Sequence, residues 1–204
     1  MEYLPETNLV ELCGSVAGKP CFSHVSREVE FFTFPLEVSR LSGTVDRINI
    51  IARRELLDSL EAGEGMLCVS GELRSFNNRS GTGNRLVITV YARELRFGGA
   101  EDRNAVRLRG TLCKKPNLRV TPMGRDICDM MLAVSRRYGR SDYLPCIAWG
   151  MRAREAALWD VGDGVELEGR IQSRQYIKTV DGQPLEKTAF EVSVTDIRKL
   201  EPEN

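Results

Sequence analysis

The chain has 204 residues, 42% of them hydrophobic, and its 29 Lys and Arg are balanced by 29 Asp and Glu. That length and apolar content suit one large or two small domains with a real core, and zero net charge removes any global electrostatic case for a polyanion, so a nucleic-acid partner would need a local cluster of cations. The amino-terminal Met1-Glu-Tyr-Leu-Pro5 has neither a basic nor an apolar leader segment, and no apolar run reaches membrane-spanning length, so a cytosolic protein without membrane contact is expected.

The first strand alternates from Leu9 to Val16, the second runs through Phe32, Phe34, Leu36 and Val38, and the third covers Ile48 to Ala52. Arg53 to Leu60 is rich in Leu and suits a short helix, which Gly63 and Gly65 close. A fourth strand around Leu67 to Leu73, a hairpin at Asn77 to Asn84 and a fifth strand from Leu86 to Leu95 complete the series. Gly98 to Asn104 reads as a linker, after which the order repeats. A strand from Val106 to Leu112 precedes the turn Thr121-Pro-Met-Gly124, and a second alternates through Cys128, Met130, Leu132 and Val134. The third (Leu144 to Trp149), a helical stretch (Met151 to Trp159), Gly162 and Gly164, a fourth strand, the turn Val180-Asp-Gly-Gln183 and a fifth strand (Phe190 to Leu200) follow.

The repetition extends to residue identity at an offset of about 96. Gly14-Ser-Val-Ala-Gly-Lys-Pro20 lines up with Gly110-Thr-Leu-Cys-Lys-Lys-Pro116, Leu36-Glu-Val-Ser-Arg40 with Leu132-Ala-Val-Ser-Arg136, and Asp46 to Ala52 with Asp142 to Ala148. After a two-residue slip, Leu67-Cys-Val-Ser-Gly-Glu-Leu73 meets Val165-Glu-Leu-Glu-Gly-Arg-Ile171. A tandem duplication is therefore expected, with domains at 1–98 and 104–204. Five strands with a short helix between the third and fourth is the order of an OB-fold, so the expected class is all-β, two tandem five-stranded OB-fold barrels, with a β-sandwich the competing architecture.

Six cysteines are dispersed without a Cys-x-x-Cys, which predicts reduced, mostly buried thiols. The one histidine, His24, reads as structural or surface. With no ligand cluster, no P-loop and no nucleophile beside a base, neither a cofactor, a metal nor catalysis is expected.

One stretch carries chemistry. Around Leu132-Ala-Val-Ser-Arg-Arg-Tyr138 and Asp142-Tyr-Leu-Pro-Cys-Ile-Ala-Trp149, Arg136, Arg137 and Arg140 interleave with Tyr138, Tyr143 and Trp149. Cations for phosphates and flat rings for unstacked bases are what a single strand of nucleic acid requires. Tyr143 and Trp149 are separated by an even number of residues and are expected on one strand face, subject to a kink at Pro145.

The second copy resembles the bacterial single-stranded DNA-binding proteins. The resemblance rests on Gly110-Thr-Leu, Pro116, Thr121-Pro-Met-Gly, Leu132-Ala-Val-Ser-Arg-Arg-Tyr, Cys146-Ile-Ala-Trp-Gly and Gly164-Val-Glu-Leu-Glu-Gly-Arg-Ile-Gln-Ser-Arg-Gln-Tyr176. It implies base stacking on Tyr138, Tyr143, Trp149 and Tyr176. The accompanying cations are Lys114, Lys115, Arg119, Arg136, Arg137, Arg170, Arg174 and Lys178, and the expected binding is salt-sensitive and sequence-tolerant. A role in DNA replication, recombination or repair and a nucleoid-associated location follow from the same resemblance. So does a homodimer, because four such barrels are the family's usual complement. At the corresponding positions the first copy has Ser42, Arg47, Arg53 and Asn78, so it is expected to serve assembly, or else a purely electrostatic site. The family's acidic carboxy-terminal tail is not seen after Leu200, which puts in doubt the recruitment of replication or recombination proteins. The alternative function is a protein-interaction module resembling primosome accessory proteins.

Overall fold

The computed structural model describes residues 7–61, 63–78, 84–136, 139–180 and 183–201. The expected hairpin tips lie largely outside them. In the first copy the strands are β1 (Asn8–Val16), β2 (Cys21–Ser26), β3 (Val29–Ser39), β4 (Val45–Arg53), β5 (Met66–Asn77) and β6 (Leu86–Gly99), with α1 (Arg54–Glu61) between β4 and β5. The second copy has β7 (Arg103–Leu112), β8 (Asn117–Val120), β9 (Asp126–Ser135), β10 (Ser141–Trp149), β11 (Gly164–Val180) and β12 (Gln183–Lys199), with α2 (Met151–Ala156) after β10. The protein is all-β with OB-fold connectivity.

Within each copy the strand pairing runs round a closed circuit. β1 bonds to β5 along Val10 to Gly14 and then to β3 at Ser15 and Val16, so one strand serves two neighbours. β3 continues to β4, β4 runs parallel to β6, and β6 lies beside β5, which completes the circuit. The second copy repeats it as β7, β9, β10, β12 and β11. The change of partner needs glycine, because a Cβ on Gly14 would lie 2.2 Å from the Glu37 carbonyl oxygen and one on Gly110 2.4 Å from that of Ala133. No side chain fits so close an approach.

Alternation fills each interior. Val10, Leu12, Phe34, Leu36, Val38, Ile48, Ile50, Leu67 and Val90 are buried in the first copy. Leu108, Leu132, Val134, Leu144, Cys146, Leu167, Ile171 and Val192 take the corresponding places in the second. The helix α2 buries Ala153 and Ala156, and Trp159 after it is 6% exposed, so the stretch covers the apolar barrel end.

Two compact units emerge, Leu9–Arg74 with Ile88–Ala105, and a second that takes in Ser75–Val87 and Val106–Asn204. The hairpin arm of the first copy is thus part of the second unit. The arms β2 and β8 pair with β3 and β9 and were not anticipated in the sequence, whereas the expected turn Thr121–Gly124 is present and joins β8 to β9. Among the described residues no helix is long and apolar enough to cross a membrane.

One expectation about the thiols is corrected. Cys13 and Cys68 stand opposite each other across β1 and β5 and form a disulfide. Strand register, invisible in a spacing of 55 residues, brings them together. Cys128 and Cys146 are buried, Cys113 is half-buried and Cys21 is exposed. Burial pushes the Cys128 thiol up to about 11 and raises Cys113 and Cys146 as well.

Candidate nucleic-acid interface

On β10 the two-residue period sends Asp142, Leu144, Cys146 and Ala148 inward and leaves Tyr143 50% and Trp149 36% exposed. Pro145 does not interrupt this alternation, since β9 and β10 stay in register from Ser141 to Trp149. Ile147 stands beside Ser193 of β12, and Ser193 faces Arg170 of β11. The Trp149 indole N–H donates to Ser193 Oγ at 3.2 Å, which ties the β10 end to this row. By strand parity Tyr143, Ile147, Trp149, Ser193 and Arg170 share the face opposite the barrel core, with Ile147 and Ser193 themselves buried on it, and Arg174 and Tyr176 continue it along β11. Tyr176 is half-buried and its hydroxyl donates to Asn84 Oδ1 at 3.4 Å. Tyr138 and Arg137 lie outside the described residues.

The cations differ in what already holds them. Arg119 forms a two-pronged bond to Asp129 at 2.5 and 3.1 Å, which raises its pKa. Lys115 donates to the Trp159 carbonyl at 3.0 Å and lies 3.1 Å from Asp160. The Asp160 carboxyl is held below its usual 3.8 by the Val161 backbone N–H first and by Lys115 second. Arg174 is 3.8 Å from Glu191 and remains half exposed. Lys114 is exposed and meets no carboxylate among the described residues. Arg170 is half-buried, and its Nε is a buried donor without a hydrogen-bond partner among the described residues, an unsatisfied group on the aromatic face. Lys178 lies on β11, its side chain outside the described set.

Arg136 belongs to a different structure. Its guanidinium grips both oxygens of Asp142, a carboxylate with no exposure, and donates to the Ser75 carbonyl at 3.1 Å. Ser75 completes the knot, its N–H donating to Asp142 Oδ1 and its hydroxyl accepting the Tyr143 N–H at 2.7 Å. Asn84, at the other root of the same hairpin, donates to the Thr188 carbonyl. A phosphate would have to compete with a buried charge pair for Arg136, whereas Lys114 meets no carboxylate among the described residues and Arg174 only the more distant Glu191.

Sequence reasoning missed Asp142 and Ser75. The signal was the repeat itself, because Arg40 and Asp46 of the first copy form the same two-pronged pair at 2.7 and 2.6 Å. Ser193 was also missed, since nothing local marks a serine as the partner of Trp149. Among the described residues no group of three or more His, Cys, Asp or Glu could hold a metal ion.

Residues 103–200 match the model of the Single-strand binding protein family. The chain is 35% identical over 108 residues to Single-stranded DNA-binding protein 2 of Listeria innocua, covering 50% of this chain and 66% of that protein's length. It is 38% identical over 80 residues to Single-stranded DNA-binding protein B of Bacillus subtilis, covering 36% of this chain and 71% of the relative. Single-stranded DNA-binding protein A of Bacillus subtilis is 33% identical over 108 residues, and there the chain spans 61% of the relative. In fold, the chain is similar to the crystal structure of the single-stranded DNA binding protein from Thermus aquaticus, with a TM-score of 0.77 at 19% identity over 97% of this chain and 94% of that one.

Proposed function

The chain belongs to the single-strand binding protein family, and from that premise we propose that it binds single-stranded DNA, without catalysis, on the outer face of β10, β12 and β11. The observation that carries this reading is the convergence of Tyr143, Trp149 and Tyr176 with Arg170 and Arg174 on one surface, where the sequence scatters them over 34 positions. Exposed rings offer faces to unstacked bases, and each stacked base contributes about 1–3 kcal/mol. Arg170, Arg174, Lys114 and Lys178 supply positive charge for the phosphates. Neither type of contact reads base edges, so the binding tolerates sequence.

The relatives' names state single-stranded DNA binding and nothing further; a place in DNA replication, recombination or repair, at the nucleoid, is part of the proposal and follows from the resemblance. Two chains associating as a homodimer would bring together the four barrels that the family usually assembles.

The test is a titration with dT oligomers at low and high salt, read by intrinsic Tyr and Trp fluorescence. Quenching that saturates at a defined length and weakens with salt is expected, and the double substitution Tyr143→Ala, Trp149→Ala should cost about 2–5 kcal/mol of binding. Unchanged affinity in that variant refutes the assigned face. Absence of binding by the wild type refutes the function and leaves the protein-interaction module.

A further inference from the structure

The bond between Cys13 and Cys68 joins residues that the sheet already holds together. They stand directly opposite each other on adjacent antiparallel strands with Cα atoms 4.1 Å apart, and the β1–β5 ladder runs on both sides of them, from Val10 to Gly14. Backbone hydrogen bonds therefore keep the two side chains face to face whether or not the sulfurs are linked. A pair that stays in place on reduction can close again without refolding.

The second copy completes its circuit without such a bond. Its corresponding pair is Arg109 and Glu166, which also stand opposite each other, across β7 and β11. The other four cysteines carry free thiols, so the bond is a local feature of one strand pair.

The sulfurs are placed for access. Leu12, Leu67 and Val69 are buried in the core, so alternation puts Cys13 and Cys68 on the opposite face, where both are half-buried. Gly99, the last residue of β6, lies beside them. A Cβ there would stand 2.9 Å from Cys68 Sγ and 3.4 Å from Cys13 Cβ, so glycine keeps a side chain off the bond.

Position gives the bond a consequence. Cys13 immediately precedes Gly14, the close approach to Glu37 at which β1 passes from β5 to β3. The bond pins β1 to β5 at that corner, and without it the corner rests on hydrogen bonds and packing alone.

We propose that Cys13 and Cys68 form a reversible dithiol–disulfide switch that locks the β1–β5 corner of the first copy when oxidised and loosens it when reduced. In reduction, the thiolate of a dithiol attacks one sulfur, giving a mixed disulfide and one cysteine thiolate. The second thiol of the reagent then closes its own disulfide and releases the other cysteine, so two electrons and two protons pass to the protein. In oxidation, hydrogen peroxide takes the two electrons. One thiolate attacks it to become a sulfenic acid with release of hydroxide, and the other sulfur attacks that sulfenic acid with release of water. The switch stands apart from the DNA-binding reading of the second copy, and its test uses no DNA.

The test equilibrates the full chain, without denaturant, in mixtures of dithiothreitol and its cyclic disulfide. Samples are quenched in acid, alkylated in denaturant and mapped by mass spectrometry. Cys13 and Cys68 are expected to titrate together as one two-electron step with the circular dichroism of the fold retained, and hydrogen peroxide should restore the bond in the native chain. Amide exchange in residues 10–14 and 67–71 should be about thirtyfold or more faster in the reduced than in the oxidised chain. Reduction that requires denaturant, unfolding of the reduced chain, or failure of peroxide to re-form the bond overturns the proposal, and so does equal exchange in the two states. In Cys13→Ser the step should vanish. A two-electron step persisting at Cys68 in that variant would assign the bond to another partner and overturn the pair.

Discussion

The two copies share a frame and differ on their faces. Inward positions keep their character across the offset, with Leu36 and Leu132, Val38 and Val134, and Asp46 and Asp142 in matching places. Outward positions have changed chemistry. The cross-strand pair Cys13 and Cys68 of the first copy corresponds to Arg109 and Glu166 in the second, a covalent link in place of a charged pair. Trp149 with Ser193 corresponds to Arg53 with Tyr91. Packing constrains each interior to one solution, whereas an exposed pair need only be compatible with its neighbour across the strand.

The shared buried Arg and Asp pair gives the largest expected effect. Asp142→Ala strands the Arg136 guanidinium and the Ser75 N–H, and should cost about 3–5 kcal/mol in denaturant unfolding. Asp46→Ala, which strands Arg40, should cost a similar amount. A wild-type midpoint for either variant would show that the pair is not a common element of the frame.

The disulfide sharpens the difference between the copies. Cys13→Ser with Cys68→Ser, or reduction by a dithiol, should lower stability by about 2–4 kcal/mol, given the sequence separation of 55 between the cysteines. Hydrogen exchange should place the loss in β1 and β5 and leave β7 and β11 protected. Uniform loss of protection would mean that the copies unfold as one.

The remaining thiols test burial. At about pH 8, Cys21 should react readily with an alkylating reagent, while Cys128 and Cys146, raised by burial, should react only after denaturation. Rapid native labelling of Cys146, as read by mass spectrometry, would contradict a closed second core.

The smallest effect concerns acid. Asp163 is held below 3.8, first by Lys199, and Asp160 below 3.8 by the Val161 N–H and Lys115. A depressed carboxyl stabilises the fold above its unfolded pKa, and that contribution is lost as pH falls through the lower, folded value. Hydrogen exchange around 160–164 should therefore quicken only below about pH 3.8, with no counterpart between pH 5 and 8. Protection that falls already in the neutral range would reassign the loop's stability to other groups.

Much of the fold was legible because burial imposes a two-residue period on β3, β4, β9 and β10, and because Gly14 and Gly110 mark the bend where one strand changes partners. The arms β2 and β8 were not legible, since every residue in them is exposed and no inside and outside alternation exists to be read. At the candidate interface the aromatic types and the shared face of Tyr143 and Trp149 followed from spacing. The allegiance of Arg136 did not, because its type says only that it is a cation, and its partners lie on another strand and in the other copy's hairpin.

The sequence by itself determined the duplication, the all-β OB-fold order and the family, all of which rest on local pattern and on identity at a constant offset. Only the tertiary structure decided which cations are already neutralised and which cysteines meet. Those are properties of register between strands distant in sequence, and a shift of one residue in any pairing would turn each side chain to the opposite face.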